Sequence, residues 1–357
     1  MLEKSDKSRI RDTIRHSRPW ITADDVDAIS QVAATGMLAS GPLTKLFEQQ
    51  VAKRCDLAEA RFVASGRYAL VKALQLIGIA PEHEVLIPTY VCHSVRDAVK
   101  AVGAVPVLCD AGSDWCLDPH DVANRIGSRT RAIVVAHTFG IAADMDQLMG
   151  LGLPVIEDCA QAFGGKTADG RQLGSIGMAG IYSLHPTKPL TAGTGGIVGS
   201  ADAKVAAKLR AASSADFHDA ASPVTDLAAA LGLSQLARYD LALERRRAIA
   251  RRYFDDLAGL DAQLPAEIAD QSIFFRFPLR VRRTVEAVMA AFAEHGVIVR
   301  RGVDTLLHRL PGADPAQFPG AEACFNTTIS IPIYPALTDD NVRHVIAAAR
   351  NVLGTSP

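Results

Sequence analysis

The sequence has no strong charge bias and no long apolar run. Its formal net charge is −1, and its run of basic residues at 245–247 is short and has no aromatic residues interleaved. We interpret that run as a solvated helix face, not as a nucleic-acid interface. No uncharged apolar run reaches the roughly 18 residues of a membrane span, and the charged first 20 residues hold no apolar core of a signal peptide. We therefore expect neither nucleic acid nor membrane as a partner.

The cysteines form no CxxC pair, and several lie in apolar, strand-like runs. They stand at positions 55, 92, 109, 116, 159 and 324. This distribution is typical of reduced thiols and does not suggest a disulfide framework. It predicts a cytoplasmic location.

Several common catalytic motifs are also missing. The ten histidines give no HExxH pair, and the chain contains no GxxxxGK[ST] loop and no GxSxG elbow. Gly193, Gly195 and Gly199 resemble a dinucleotide fingerprint, but the third glycine comes one residue late and no strand-to-helix context surrounds them. These absences argue against a zinc peptidase, a P-loop nucleotidase and an α/β-hydrolase, and no metal site is predicted.

What the sequence does contain is a long alternation of short apolar runs and amphipathic segments. Apolar residues make up 48% of the chain, and its length of 357 residues is enough for about two domains. The predicted strands are 61–64, 85–88, 105–109, 132–136, 154–158, 177–184 and 195–199. They are apolar throughout, as in a parallel sheet covered on both faces. We predict a large α/β domain with a mostly parallel sheet at 20–254 and a small α+β domain at 255–357.

The stretch from Gly177 to Gly196 carries the most informative lysine. An apolar, β-prone run with one hydroxyl, Ser183, breaks at a proline, and Lys188 follows between Pro186 and Pro189. Two prolines stiffen this loop because each fixes φ near −65°. A lysine held in an apolar pocket loses its proton near neutral pH and can form a Schiff base. The simpler interpretation is an ordinary lysine in a proline and glycine turn.

Other residues favour the chemical interpretation when they are taken together. Ser65-Gly66 opens a helix after a strand, Asp158 ends an apolar strand, Gln161 follows three residues later, and Ser183 stands five residues before Lys188. Each alone has a plain alternative, such as a helix cap for Asp158 or a strand hydroxyl for Ser183. Together, a reactive lysine, a buried acid and a phosphate cradle are what pyridoxal phosphate requires.

Two segments carry a family resemblance. VIEDCAQAFGG at 155–165 and YSLHPTKPLTAGTGG at 182–196 are similar to the corresponding motifs of the DegT/DnrJ/StrS family of fold-type-I pyridoxal phosphate aminotransferases. Further similarities, such as VLIPTY at 85–90 and AHTFGIAADM at 136–145, extend the resemblance over residues 20–353. The family acts mostly on nucleotide-linked keto sugars.

The resemblance implies a role for each matching residue. Lys188 matches the Schiff-base lysine, which also moves the proton, and Asp158 matches the partner of the pyridine nitrogen. Gln161 matches the residue near the phenolic oxygen of the cofactor. Gly66, Arg67 and Ser183 match the phosphate site. Family members often place an aromatic residue against the ring; the aligned residue here is Cys92, and we expect the adjacent His93 to stack on the ring instead.

The chain also departs from the family pattern. Arg67 replaces a threonine, Met178 an aspartate and Thr194 a glutamate. The three residues 221–223, Ala-Ser-Pro, replace a segment whose asparagine reaches the phosphate of the neighbouring subunit. We predict that the Arg67 side chain compensates for that missing asparagine. The alternative is that it turns to solvent and only its backbone amide serves.

These features predict a homodimeric aminotransferase that uses pyridoxal phosphate. Its amino donor would be an amino acid, glutamate above all, and its acceptor a keto group on a sugar or a nucleotide-linked sugar. A dehydratase or other lyase on a sugar-like substrate is one alternative, and a non-catalytic regulatory protein that binds the cofactor is another.

Overall fold

The computed structural model describes residues 13–212, 214–217, 223–265, 272–310 and 312–354. The strands are β1 (Glu59–Val63), β2 (Glu84–Pro88), β3 (Val105–Cys109), β4 (Thr130–Ala136), β5 (Val155–Asp158), β6 (Ala179–Ser183), β7 (Gly196–Ser200), β8 (Ala262–Gln263), β9 (Phe277–Val281), β10 (Arg300–Arg301) and β11 (Thr328–Ile331). The α-helices are α1 (Ala23–Thr35), α2 (Pro42–Arg54), α3 (Gly66–Leu76), α4 (His93–Ala101), α5 (Pro119–Arg125), α6 (Met145–Gly150), α7 (Ala203–Ala211), α8 (Ser214–Phe217), α9 (Asp226–Ala237), α10 (Tyr239–Asp256), α11 (Val285–Glu294), α12 (Pro319–Thr327) and α13 (Asp339–Leu353).

The larger sheet has seven strands in the order β1-β7-β6-β5-β4-β2-β3. β7 pairs antiparallel with β1 and β6, and every other neighbouring pair is parallel. This confirms the predicted α/β class with a mostly parallel sheet. Because six strands point the same way, their carboxyl ends lie along one edge, the usual place for a ligand site in such sheets.

The central strands are buried on both faces. Ile133, Val134 and Val135 of β4 are all fully buried, as are Leu86 and Ile87 of β2. Helices therefore cover the sheet on both sides, which explains why these strands read as continuous apolar runs in the sequence.

A second, smaller sheet follows in the chain. Its four strands pair antiparallel in the order β10-β11-β9-β8. The hydrophobic cluster beneath it joins α11 and α13 with Ile249 and Tyr253 of α10, and it also includes Ile14 from the start of the chain. The α+β character agrees with the prediction for this region. The boundary at 254 and 255 stays a prediction.

The basic run at 245–247 is not wholly solvated, as the sequence had suggested. Arg246 is buried, and its guanidinium donates to the carbonyls of Phe274 (3.0 Å), Phe275 (3.3 Å) and Ile333 (2.9 Å). Burial lowers the pKa of Arg246 to about 10. The interpretation as a solvated face was wrong for this residue, because sequence alone does not show that three backbone carbonyls meet on that side of α10.

Two further sequence predictions concern membranes and cysteines. Within the described ranges, no helix is both long enough and apolar enough to cross a lipid bilayer. All six cysteines carry free thiols, and Cys92 is exposed while the other five are buried.

Candidate active site

The edge formed by the strands' carboxyl ends gathers the predicted site residues. β5 ends at Asp158 and the parallel β6 ends at Ser183, while His93 follows β2 and Gly66 follows β1. Residues distant in the chain are brought to one edge because parallel strands end together. The fold thus explains how scattered residues can form one cleft.

Lys188 lies in the loop between β6 and β7. Its backbone N–H donates to the carbonyl of His185 at 2.9 Å, which closes a turn that starts at His185 and has Pro186 in its second position. Further along, the hydroxyl of Thr191 donates to the carbonyl of Leu184 at 3.0 Å. These bonds, with the two flanking prolines, hold the lysine in a defined turn.

The surroundings of Lys188 shift its pKa below the ordinary value. Burial lowers the pKa of Lys188, and the positive charge of Arg276 lowers it further, while Asp158 acts in the opposite direction. The ammonium nitrogen lies 5.3 Å from the ring centroid of Phe275. Lowering the pKa of an amine increases the fraction that can act as a nucleophile and proton acceptor.

Asp158 lies at the end of β5 with few hydrogen-bond donors around it. One carboxylate oxygen accepts the N–H of Ala160 at 2.9 Å. Burial raises the pKa of Asp158, and the N–H of Ala160, Lys188 and His137 oppose that shift. The carboxylate therefore has capacity for a cationic partner that the described residues do not fill.

The neighbouring Glu157 points to the opposite face of the same strand. It accepts the backbone N–H groups of Gly174 (2.8 Å), Ile176 (2.8 Å) and Gly177 (2.6 Å), and it bonds His137 Nε2 at 3.0 Å. Burial alone would raise the pKa of Glu157, but these donors bring it below the ordinary value.

His137, Glu157 and Cys159 are close enough to be considered as metal ligands. Their ligand atoms all lie within 4.8 Å of one another. His137 Nδ1, however, accepts the N–H of Ala143 at 3.2 Å, and its other nitrogen bonds the glutamate. Both imidazole nitrogens are thus engaged inside the protein, and we assign the cluster a structural role.

Gln161 supports an unusual turn next to the cleft. Its side-chain oxygen accepts the N–H of Phe139 at 2.9 Å, and Phe139 has a positive φ of 59°, which is uncommon for a residue other than glycine. The bond fixes the amide of Gln161 through its oxygen. The NH₂ group is then the end that remains for a ligand.

The predicted phosphate site has a close approach that only glycine permits. A Cβ atom on Gly66 would lie 2.8 Å from the Cβ of Ser183. Gly66 and Arg67 form the first turn of α3, where backbone N–H groups have no acceptor within the helix, and the Arg67 side chain is exposed. The Ser65 hydroxyl accepts the N–H of Tyr68 at 3.1 Å and caps the helix. Hydroxyl and amide donors at a helix N-terminus fit the phosphate of pyridoxal phosphate.

His93 is the first residue of α4 and is exposed. Its Nδ1 lies 3.9 Å from the sulfur of Cys92, which is also exposed. Cys92 ends the loop after β2 and His93 begins α4, at the edge where the other predicted residues lie. The stacking role of His93 stays a prediction.

Two residues near the lysine were missed by the sequence analysis. Phe275 lies beside Lys188, and Arg276 follows it in the segment FFRF at 274–277. The sequence signal for Arg276 was a single charged residue within an otherwise aromatic run. The sequence does not show, however, that this segment returns to the edge of the other sheet.

The other positions that depart from the family pattern differ in their burial. Met178 is half-buried, and its N–H donates to the carbonyl of Val155 at 2.8 Å. Thr194 and Pro223 are exposed, whereas Ala221 and Ser222 lie outside the described residues. The predicted loss of a contact across subunits therefore stays a prediction.

Comparisons with known proteins agree with this picture. The model of the DegT/DnrJ/EryC1/StrS aminotransferase family matches residues 19–350. The dTDP-3-amino-3,4,6-trideoxy-alpha-D-glucose transaminase of Streptomyces venezuelae is 33% identical, with 92% of each chain covered. The UDP-N-acetyl-3-dehydro-alpha-D-glucosamine 3-aminotransferase of Acidithiobacillus ferrooxidans is 31% identical over 87% of this chain and 88% of its own. The crystal structure of the aminotransferase TlmJ from Streptoalloteichus hindustanus superposes with a TM-score of 0.87 at 28% identity, covering 95% of this chain and 98% of that one.

Proposed function

Because the chain belongs to the DegT/DnrJ/EryC1/StrS aminotransferase family and is a pyridoxal phosphate-dependent aminotransferase of fold type I, we propose that its acceptor is a keto sugar, free or nucleotide-linked. The names of the two curated relatives support this substrate class. The observation that carries the proposal is Lys188, held with a lowered pKa at the sheet edge where Asp158 ends β5. The relatives are named as transaminases, so the dehydratase and regulatory alternatives are not favoured.

Each predicted residue has a place in holding the cofactor. Pyridoxal phosphate, when bound, supplies an electron sink that stabilises negative charge at the amino carbon of the substrate. The carboxylate of Asp158 would keep the pyridine nitrogen protonated, and the ring would lie against His93. The phosphate would lie between Ser183 and the first turn of α3, at Gly66 and Arg67. The amide NH₂ of Gln161 would face the phenolic oxygen.

Lys188 would do the proton chemistry with its amine. With its pKa lowered by burial, Nζ would take a proton from the amino carbon of the donor and pass it to the cofactor, which would also receive the amino group. In the second half of the reaction, Nζ returns a proton to the carbon that was the ketone of the acceptor. The donor, for which we propose glutamate, leaves as a keto acid, and the acceptor leaves as an amine.

We also propose that the protein is a cytoplasmic homodimer that binds neither nucleic acid nor membrane. Large apolar side chains are exposed over the first two helices and their connection, including Val26 (54%), Met37 (65%) and Leu38 (44%). A second copy of the chain could cover them. Sedimentation equilibrium at the dilution used for activity assays tests the dimer, and a fully active species of monomer mass would contradict it.

Substitution of Lys188 by alanine tests the catalytic assignment. Lys188→Ala should abolish transamination and the visible absorbance of cofactor attached to the lysine, with an unchanged thermal unfolding midpoint because Pro186 and Pro189 still frame the loop. Lys204→Ala, an exposed lysine at the start of α7, is the matched control and should retain full activity. If the Lys188→Ala protein transaminates at the wild-type rate, the proposed mechanism is wrong.

A further inference from the structure

The turn that carries Lys188 depends on His185, the residue with which it begins. His185 Nδ1 accepts the backbone N–H of Thr187 at 3.3 Å, and Thr187 Oγ1 lies 3.0 Å from the same nitrogen. The carbonyl of His185 accepts the N–H of Lys188 at 2.9 Å. Within the described part of the chain, every hydrogen bond of residues 185–190 has an atom of His185 at one end.

The arrangement is that of an Asx turn, with histidine in the place of asparagine. In an Asx turn, the side-chain oxygen of asparagine or aspartate accepts the N–H of the second residue after it. His185 Nδ1 accepts the N–H of Thr187, which is also the second residue after it. Pro186 lies between them, at the turn position where proline is favoured. An asparagine at position 185 could therefore make the same bond without a titratable ring.

The bond from Thr187 determines which nitrogen of His185 carries the proton. A backbone N–H can only donate, so Nδ1 accepts and the proton of the neutral ring is on Nε2. A second proton could be added only at Nδ1. There it would face the N–H of Thr187 and leave that group without its acceptor. The protonated form of His185 therefore cannot keep the turn closed on this side.

The surroundings of His185 oppose its protonation. Burial lowers the pKa of His185 from its ordinary value of 6.5, and the positive charge of Lys188 lowers it further. Among the described residues, Lys188 is the one charged group that acts on this imidazole. Asp158, Arg276 and Cys92 act in turn on that lysine. His185 is thus neutral above pH 6.5 and becomes protonated only as the pH falls below that value.

The main chain at Lys188 sets the position of the reacting amine. Nζ forms no hydrogen bond with any described residue, and the Phe275 ring, whose centroid is 5.3 Å away, limits it on one side only. A change in the turn would therefore move the amine. A displacement of about 1 Å is enough to slow a proton transfer by one to two orders of magnitude.

We propose that neutral His185 is a positioning residue that holds the turn of Lys188, and that protonation of His185 releases this turn and sets the acid limit of the reaction. This inference rests on the role of Lys188 in the proposed function. Pro186 and Pro189 restrict the backbone on either side, but neither has an N–H with which to close the turn. The imidazole supplies the missing contact.

Two substitutions separate the acceptor from the imidazole. His185→Ala removes both, whereas His185→Asn keeps an acceptor for the N–H of Thr187 and cannot titrate. Above pH 6.5, His185→Ala should lower kcat of the half-reaction with glutamate about tenfold, the effect of one lost hydrogen bond, with KM little changed. His185→Asn should recover most of this loss. As the pH falls below 6.5, kcat should decrease in the wild type and stay level in His185→Asn.

Hydrogen exchange reports the turn itself and needs no turnover. In the cofactor-loaded protein, mass spectrometry follows a short peptide that contains the amides of Thr187 and Lys188. These amides should exchange about tenfold faster in His185→Ala than in the wild type. In His185→Asn they should return to near the wild-type rate. A residue that only stabilised the fold would not produce this local change together with a lost pH dependence.

A distant histidine provides the control. His120→Asn changes an exposed side chain at the start of α5 that bonds Asn124 of the same helix, and it should keep the wild-type kcat and pH profile. Equal kcat and equal exchange in the wild type, His185→Ala and His185→Asn would overturn the proposal, because the prolines alone would then shape the turn. An unchanged acid limit in His185→Asn would also overturn it.

The exchange measurement also separates this inference from the proposed function. If the wild type shows no visible absorbance of cofactor attached to Lys188, the proposed function fails. Faster exchange in His185→Ala and recovery in His185→Asn would still show that His185 holds the turn. If the absorbance and transamination are present but the exchange rates do not differ, the proposed function stands and the role of His185 is wrong.

Discussion

Glu157 and Asp158 are adjacent carboxylates on one strand, yet their surroundings differ completely. Glu157 accepts three backbone N–H groups and bonds His137, and its pKa is lowered. Asp158 accepts one N–H group, from Ala160, and its pKa is raised by burial. One carboxylate is satisfied by the fold, and the other still has capacity for a ligand. Alternation along a strand puts these two roles on opposite faces of the same sheet.

Two arginines, the buried Arg246 and the half-buried Arg276, repeat this contrast. Arg246 donates to three backbone carbonyls and joins α10 to the segment 274–275 and to Ile333. Arg276 donates to two carbonyls through one nitrogen, and its buried Nε has no hydrogen-bond partner within the described part of the chain. The number of filled hydrogen-bonding positions separates residues that hold the structure from residues that await a substrate.

The largest effect should come from the satisfied carboxylate. Glu157→Gln places an amide among groups that all donate, so at least one N–H loses its acceptor in a buried place. We expect a loss of about 3–5 kcal/mol in the free energy of unfolding, the range for breaking a buried charged interaction. Urea denaturation of the cofactor-free protein measures it. A Glu157→Gln protein as stable as the wild type would show that the hydrogen bonds of Glu157 do not stabilise the fold.

The pH dependence of stability provides a control for that variant. The pKa of Glu157 is lower in the folded protein than its ordinary value of 4.5. Its contribution to stability is therefore fully present above pH 4.5 and is lost as the pH falls through the lowered value. Asp158, whose pKa is raised, has the opposite sign, because its protonation relieves the cost of a buried charge. In the Glu157→Gln variant, the free energy of unfolding should therefore decrease less steeply than in the wild type as the pH falls below 4.5.

The unsatisfied carboxylate should show the reverse pattern. Asp158→Asn keeps the shape but removes the charge that would hold the pyridine nitrogen protonated. We expect the transamination rate to fall on the order of a hundredfold or more. The stability of the cofactor-free protein should be unchanged or higher, since a buried charge is removed. Unchanged activity would reduce Asp158 to the role of a helix cap.

The smallest effect should come from Arg67, an exposed cation in the first turn of α3. If its guanidinium binds the cofactor phosphate, Arg67→Ala should weaken cofactor affinity by about 1.5–3 kcal/mol, which is roughly ten- to a hundredfold in the dissociation constant. Arg67→Thr should recover only part of this. A fluorescence titration in which the alanine variant binds cofactor as tightly as the wild type would leave only the backbone amide in this role.

Local patterns were enough to predict the larger sheet and one edge of the site. The apolar runs around 132–136 and 154–158 lie within single strands, and Asp158, Ser183 and Lys188 lie at a strand end or in the loop that follows it. Short-range sequence patterns therefore report them. The contacts of Arg246 and Arg276 could not be predicted from the sequence, because their partners lie on segments that only the three-dimensional packing brings together. The domain boundary in α10 was hard to place for a similar reason, since one end of that helix contributes to the core of the second sheet.

The three hydrogen bonds of Arg246 also have a consequence for protein engineering. One of them binds the carbonyl of Phe275 and another that of Phe274, while the phenyl ring of Phe275 lies beside Lys188. The side chain at 275 can therefore be exchanged without releasing the backbone to which it is attached. A library at this one position, screened against amino donors of different size, would alter the wall of the cleft while the catalytic lysine and its loop stay in place.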